Sequence, residues 1–271
     1  FYLALFCLAF VDVVFYRIGE HGTDRSAQIL LFLIFILLIE ILLDKKNKIF
    51  SYEFLLLIVI YSASLKSIYA IYLILIIFLI YEKKCFFELI KSTNLKFISI
   101  ICFSFLMNFL INFLNTGCLL YPEERTCIEK FEWSIPKQEV KELKIHYEWW
   151  AKAGGGPSYK SKMKKEEYVK KFNWVENWLK RHFHPKITDT LFGIFCIVLI
   201  FYLLFYFKSK NNFRFYNSNN KYLYKVYYLL LIFISLWFLK HPSMRYGGYV
   251  LISLPIFIFF SNYFSKIKIK L

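Results

Sequence analysis

Apolar residues in this chain gather into runs separated by short polar segments. Residues 30–43 are apolar except for Glu40, and 191–207 and 227–239 are nearly uninterrupted. In lipid, each segment has to satisfy its own backbone hydrogen bonds, so repeated runs of this kind mean membrane-spanning helices. The pattern predicts an all-α, polytopic transmembrane helix bundle of about 8 spans, over 1–15, 28–43, 50–64, 68–81, 97–114, 188–207, 222–239 and 247–264. Several of these runs have only about 15 residues, short of the ~20 needed to cross straight, and suit a packed or partly re-entrant position.

Three segments follow: 1–114 with spans 1–5, a long polar stretch at 115–187, and 188–271 with spans 6–8 and a short tail. The 50–81 pair is the least regular. Ser62-Ala63-Ser64-Leu65-Lys66-Ser67 interrupts it without Gly or Pro, so one long tilted helix competes with a hairpin. Charge decides for the hairpin. With it, one membrane face receives Lys45, Lys46, Lys48, Lys83, Lys84, Lys91, Lys96, Lys208, Lys210, Arg214, Lys221, Lys225, Lys266, Lys268 and Lys270. The opposite short loops hold Arg17 and Arg25 balanced by Glu20 and Asp24, then Lys66, then Lys240 and Arg245. The positive-inside bias places the lysine-rich face in the cytoplasm. The 115–187 stretch is then an extracytoplasmic loop, since long loops cross whatever their charge.

Composition agrees. The chain is 58% hydrophobic with a formal net charge of +16, and its mean hydropathy is +0.47. On a soluble chain such an excess of cations would point to nucleic acid. Here the cations border apolar runs, so they set topology and meet anionic lipid, and no nucleic-acid partner is expected. Phe1 already lies inside an apolar run, which reads as a chain lacking its natural N-terminal part.

The outer loop carries five of the six tryptophans, Trp133, Trp149, Trp150, Trp174 and Trp178. Val140, Leu143, Tyr147 and Trp150 recur at helical spacing, as do Tyr168, Phe172, Val175, Leu179 and Phe183, with Gly154–Pro157 breaking between them. Two amphipathic helices are expected. They either lie on the membrane with Trp and Tyr at headgroup level or form an acceptor-binding lid. Cys118 and Cys127 stand together in this loop, where an oxidising compartment permits a bridge, whereas Cys7, Cys102 and Cys196 lie in spans and Cys85 in a cytoplasmic loop. We expect a Cys118–Cys127 disulfide. No metal-ligand spacing is visible.

Candidate chemistry clusters on the outer face. Tyr16 to Ser26 packs Arg17, Glu20, His21, Asp24 and Arg25 into eleven residues. Arginine forks suit a phosphate, and Glu20, His21 or Asp24 suit a base or metal ligand. The plain alternative is a solvated loop capping the helix that starts near Ser26. Lys240 to Gly248 adds Arg245 and Tyr246, with Gly247-Gly248 allowing close approach. Lys66 sits alone in a tiny outer turn and either meets a phosphate or snorkels. Asp12 and Glu40 fall within spans, Asp12 in a polar bundle interior and Glu40 near the cytoplasmic end. No catalytic triad, phosphate-binding glycine loop or nucleotide fingerprint is present.

With these residues in place, the chain resembles the C-terminal part of a bacterial GT-C-type glycosyltransferase-like multi-pass membrane protein, which uses polyprenyl-phosphate sugars on the extracytoplasmic face. The resemblance runs through Tyr16 to Ser26, the Ser64-Leu65-Lys66 hairpin, Thr116-Gly117-Cys118 to Cys127, Trp133-Ser134-Ile135-Pro136 and Met244-Arg245-Tyr246-Gly247. It implies a transferase moving a sugar from a lipid-phosphate carrier to an envelope acceptor at the bacterial inner membrane, with the long loop periplasmic. Its partners would be the lipid bilayer and a lipid-linked sugar. It implies phosphate contacts from Arg25, Lys66, Arg245 and His21, and acceptor contacts from Tyr121, Trp133 and Tyr246. The family's carboxylate usually lies in a loop that would precede Phe1, so Asp24 and Glu20 stand as reserve bases. No cofactor is required, and a divalent metal is left open. A transporter or lipid flippase, or a non-catalytic scaffold, are the competing readings. No inverted repeat or pair of Gly/Pro-broken spans supports transport.

Overall fold

The computed structural model describes residues 1–16, 22–43, 49–83, 94–153, 163–208 and 221–265. Among these the protein is helical and has no strand, with one isolated bridge between Cys118 and Cys127. The elements are α1 (Tyr2–Val14), α2 (Asp24–Leu43), α3 (Ile49–Leu65), a 3-10 segment (Ser67–Leu73) leading into α4 (Ile74–Lys83), and α5 (Leu95–Thr116). Then come α6 (Lys137–Lys152), α7 (Lys165–Tyr168), α8 (Val175–Trp178), a π-helical stretch (Leu179–Ile187), α9 (Thr188–Lys208), α10 (Lys221–Lys240) and α11 (Gly248–Ser265). Each of the eight apolar runs forms a helix. Five helices are long and apolar enough to cross a membrane: Asp24–Leu43, Leu95–Thr116, Val175–Phe205, Tyr222–Lys240 and Gly248–Ser265. Tyr2–Val14, Ser51–Leu65 and Ser67–Glu82 are apolar but shorter.

Two compact units are present, one of Phe1–Leu43 with His182–Leu271, the other of Asp44–Arg181. In the first, α11 packs against α1, α2, α9 and α10. Phenylalanines fill the space between them. Phe6 stacks on Phe257 at 5.5 Å, and Phe10 meets Phe257 and Phe32 edge-on at 5.8 and 5.6 Å. Lipid is as apolar as these rings, so close packing and edge-to-face geometry hold the helices together more than transfer from water does. The core is not polar around Asp12, which is exposed within the last turn of α1. Glu40 is likewise exposed, one turn from the end of α2.

In the second unit the hairpin forms without Gly or Pro. Ser62 Oγ donates to Val59 O at 2.8 Å and Ser64 Oγ to Tyr61 O at 2.7 Å. Hydroxyls that bond back onto helix carbonyls compete with the ladder and loosen it. Lys66 is then extended (φ −151°, ψ 113°), and the chain folds back so that the 3-10 segment and α4 both touch α3.

Beyond α5 the chain builds a folded helical segment. Helix α6 matches the first amphipathic pattern. The second pattern does not give one helix: it is divided into α7, an irregular turn, α8 and the π-helical stretch. Pro185, which lacks an N–H, lies inside that wider helix. Trp149, Trp174 and Trp178 are buried inside the protein. Among them sits Lys152, only 4% exposed. Its ammonium pairs with Glu148 at 2.6 Å, donates to Val169 O at 3.0 Å and lies 5.2 Å from the Trp174 ring centre. A buried cation persists only when its donors are met, and here an anion, a carbonyl and an indole face meet them. The lysine-rich loop positions Lys45, Lys46, Lys48, Lys84, Lys91, Lys210, Arg214, Lys266, Lys268 and Lys270 lie outside the described residues.

Candidate functional site

Long-range contacts gather one end of the first unit. Helices α2 and α11 begin there, α1 and α10 finish there, and the π-helical stretch runs through it into α9. The turn from α10 to α11 contains a single 3-10 turn, Met244–Tyr246, and its backbone is gripped by three side chains. Gln28 Nε2, from α2, donates to Met244 O at 3.1 Å. The Met244 N–H donates to His182 Nε2, from the π-helical stretch, at 3.1 Å. Trp237 Nε1, from α10, donates to Ser243 O at 2.9 Å. Gln28, His182, Ser243 and Met244 are all 2% exposed or less. A neutral histidine that accepts through Nε2 carries its proton on Nδ1, so the contact selects a tautomer.

The glycine pair serves this packing. Gly247 adopts φ 98°, and a Cβ on Gly248 would lie 2.6 Å from the Trp237 ring. The close approach expected there is made by an indole of the protein itself.

The clamped turn carries Arg245 to Asp24. Arg245 Nε donates to Asp24 Oδ2 at 2.5 Å, joining residues 221 positions apart. The Asp24 side chain is 7% exposed and that of Arg245 44%, so a sheltered carboxylate holds a cation that still reaches outward. Half-buried Arg25 lies with its guanidinium carbon 6.0 Å from the Phe15 ring centre, and Phe15 packs edge-on against Tyr249 at 5.5 Å. Exposed Lys186 is within electrostatic range of Arg245. Tyr246 packs on His241, ring centres 5.1 Å apart. Arg245 on a sheltered carboxylate, with Lys186 within its electrostatic range and Arg25 next to Asp24 in the chain, makes a cationic end suited to an anion with several oxygens.

A family model described as a domain of unknown function, DUF8201, matches residues 1–252. The chain belongs to the DUF8201 family. No curated protein and no solved structure matches it. The span matched to DUF8201 includes every residue of the clamped turn and its partners.

The remaining candidates of this DUF8201 chain fall elsewhere. Glu20 and His21 lie outside the described residues. Lys66, half-buried, belongs to the second unit with Tyr121, Trp133, Cys118 and Cys127. Cys118 and Cys127 are bonded, S–S 2.03 Å. They form a small core with Val140, against which Tyr121 and Ile135 pack. Burial pushes the Tyr121 phenol up to about 12, helped by its hydrogen bond with Tyr147 and by Glu139 nearby. Trp133 is 45% exposed. Among the described residues no group of three His, Cys, Asp or Glu side chains comes together to hold a metal.

Sequence reasoning missed Gln28, His182 and Lys186. A signal existed for Gln28, an amide one turn after Asp24 in an otherwise apolar run, since such a group needs a partner in the bundle. His182 gave none, because its partner lies 62 residues away.

Proposed function

We propose that this DUF8201 chain is a GT-C-like membrane glycosyltransferase that binds a lipid-linked sugar phosphate at the Asp24–Arg245 end of the first unit. One observation carries the reading: two short polar loops, far apart in sequence, converge to hold a cation beside a sheltered carboxylate. A transferase of this class has to stabilise the phosphate that leaves with the lipid and accept the proton of the incoming hydroxyl. Arg245, Arg25 and Lys186 are the phosphate contacts. Asp24 positions Arg245 and is the reserve base. In the transfer, the bond from the sugar's anomeric carbon to the phosphate oxygen breaks. The acceptor oxygen bonds to that carbon, and its proton goes to a carboxylate. This end of the unit faces away from the cytoplasm of a bacterial inner membrane, in keeping with the positive-inside bias of the lysine-rich loops at the other ends of the apolar runs.

The test is binding of polyprenyl phosphate, and transfer from a radiolabelled polyprenyl-phosphate sugar, by protein in nanodiscs. Arg245→Gln with Arg25→Gln should weaken lipid-phosphate binding at least tenfold while thermal stability of the second unit is kept. Unchanged binding in that double variant would sink the reading.

A further inference from the structure

Helix α5 differs from the helices of the first unit: none of its residues is buried. Nine of its large apolar side chains, from Leu95 and Ile98 through Phe103, Leu106 and Leu110 to Leu114, are exposed. At ~100° per residue they cover an arc of roughly 220°, about twice the stripe a helix needs to pack onto a neighbour. Three of the polar side chains along it bond back to the helix itself. Ser99 donates to Leu95 O at 3.0 Å, Ser104 to Ile100 O at 2.8 Å and Asn108 to Ser104 O at 2.9 Å. The helix also touches α3, but an arc this broad extends past any one neighbour and suits lipid chains.

The helix has 22 residues, a length of ~33 Å against a hydrocarbon core of ~30 Å. Its ends therefore sit at the two interfaces. Near its C-terminal end, Phe113 lies on the lipid-facing arc and meets two rings of the following segment edge-on, Phe131 at 5.7 Å and Trp133 at 5.6 Å. Phe131 and Trp133 stack on each other at 5.2 Å and are 43% and 45% exposed. They are fixed to the helix end. The Ile128 N–H donates to Gly117 O at 2.8 Å and the Ile135 N–H to Thr116 O at 3.1 Å. Gly117, in the left-handed region at φ 76°, lies so close to Ser134 that a Cβ would come within 2.5 Å of it.

We propose that the Phe113–Phe131–Trp133 triad is a membrane-interface anchor, seated at the boundary between lipid headgroups and acyl chains at the outer end of α5. Its occupant is lipid and not another protein, because the triad continues the arc of a helix whose apolar surface is too broad for a single partner. An aromatic cluster is at its most favourable at that depth, with an apolar ring face and, for Trp133, an indole N–H to offer a headgroup. Exposed Lys130 and Glu132 beside it in the chain belong to the aqueous side of the same boundary. The disulfide-closed segment then sets the depth of α5 and holds the outer helices off the membrane.

Tryptophan quenching in vesicles of brominated phosphatidylcholine tests this. Trp149, Trp174, Trp178 and Trp237 are each 7% exposed or less and Trp150 is half-buried, so a quencher held in lipid reaches Trp133 more readily than these. Lipid brominated near the headgroup should quench the protein more than lipid brominated at the chain ends, and Trp133→Phe should lose most of that shallow quenching. Trp133→Tyr, which keeps an interfacial ring, should show the same loss with an unchanged melting profile, so that misfolding does not imitate the result. Unchanged quenching in both variants would overturn the anchor. So would shielding of Trp133 in detergent with cross-linking of residue 133 to another polypeptide, which would assign the triad to a protein contact.

Discussion

The turn at 241–247 and the segment at 117–136 both follow apolar helices, yet they are held in opposite ways. The first is secured by side chains from far away: Gln28 at a separation of 216 residues, Asp24 at 221 and His182 at 62. The second is secured locally, by a disulfide of separation 9 and backbone bonds from Ile128 to Gly117 and Ile135 to Thr116. A turn held by distant helices exists only once the bundle is assembled, so its shape reports helix placement. A loop closed on itself keeps its shape with little help from the rest of the chain. The first suits a site that has to gather groups from separate segments, and the second suits a fixed anchor.

The sharpest way to break this contrast uses the two tight glycines. Gly117→Val forces a Cβ into Ser134 at a left-handed φ, and Gly248→Val forces one into Trp237. Each should cost about 3 kcal/mol or more. Hydrogen exchange should separate them: Gly248→Val should loosen residues 22–28 as well as the turn, while Gly117→Val should loosen only 117–136. Next in size is the disulfide. Replacing Cys118 and Cys127 by Ser should lower the stability of the 117–136 segment by about 2–3 kcal/mol in thermal unfolding, and leave protection at Met244 unchanged.

The Asp24–Arg245 pair should show a smaller but coupled effect. Arg245→Gln leaves a sheltered carboxylate without its partner, at about 1–3 kcal/mol given the half-exposed arginine. Asp24→Asn with Arg245→Gln should cost less than the sum of the two single changes. A fully additive cycle would deny the contact. The smallest effect belongs to Glu123, whose hydrogen bond with Lys144 at 2.6 Å lowers its pKa below the ordinary carboxylate range. A carboxylate shifted down adds stability above its ordinary value and loses it as pH falls through its native one. Both side chains are more than a third exposed, so the acid-side loss should be only about 0.2–0.5 kcal/mol, read as a shallow fall in the melting temperature of the second unit.

The same contrast explains what was legible in the sequence. Helix positions were, because apolar runs and Asn94 and Gly117 at the two ends of α5 are local signals. Asn94 accepts from the Lys96 N–H at 3.0 Å, and Gly117 closes the helix in the left-handed region. The hairpin at Lys66 was legible through charge bias, although its cause, the serine bonds of Ser62 and Ser64, was not. The Cys118–Cys127 pairing was readable from two cysteines close together in a polar stretch. Asp24 and Arg245 were each visible as polar residues at the ends of apolar runs. Their meeting, and the grip of Gln28 and His182 on Met244, was not, since pairings between distant parts of the chain leave no local pattern. The second amphipathic stretch misled for a related reason. Tyr168, Trp174 and Trp178 turn inward, and Lys152 with them, because they pack on one another and not on a flat surface.

The convergence of two remote segments is tested most directly by Asp24→Cys combined with Arg245→Cys, treated in native membranes with a short bifunctional thiol reagent that spans the reach of the Arg245–Asp24 pair. Convergence predicts an intramolecular cross-link that is absent from either single variant. Failure of the pair to cross-link, while Cys118 and Cys127 remain bridged in the same protein, would contradict it.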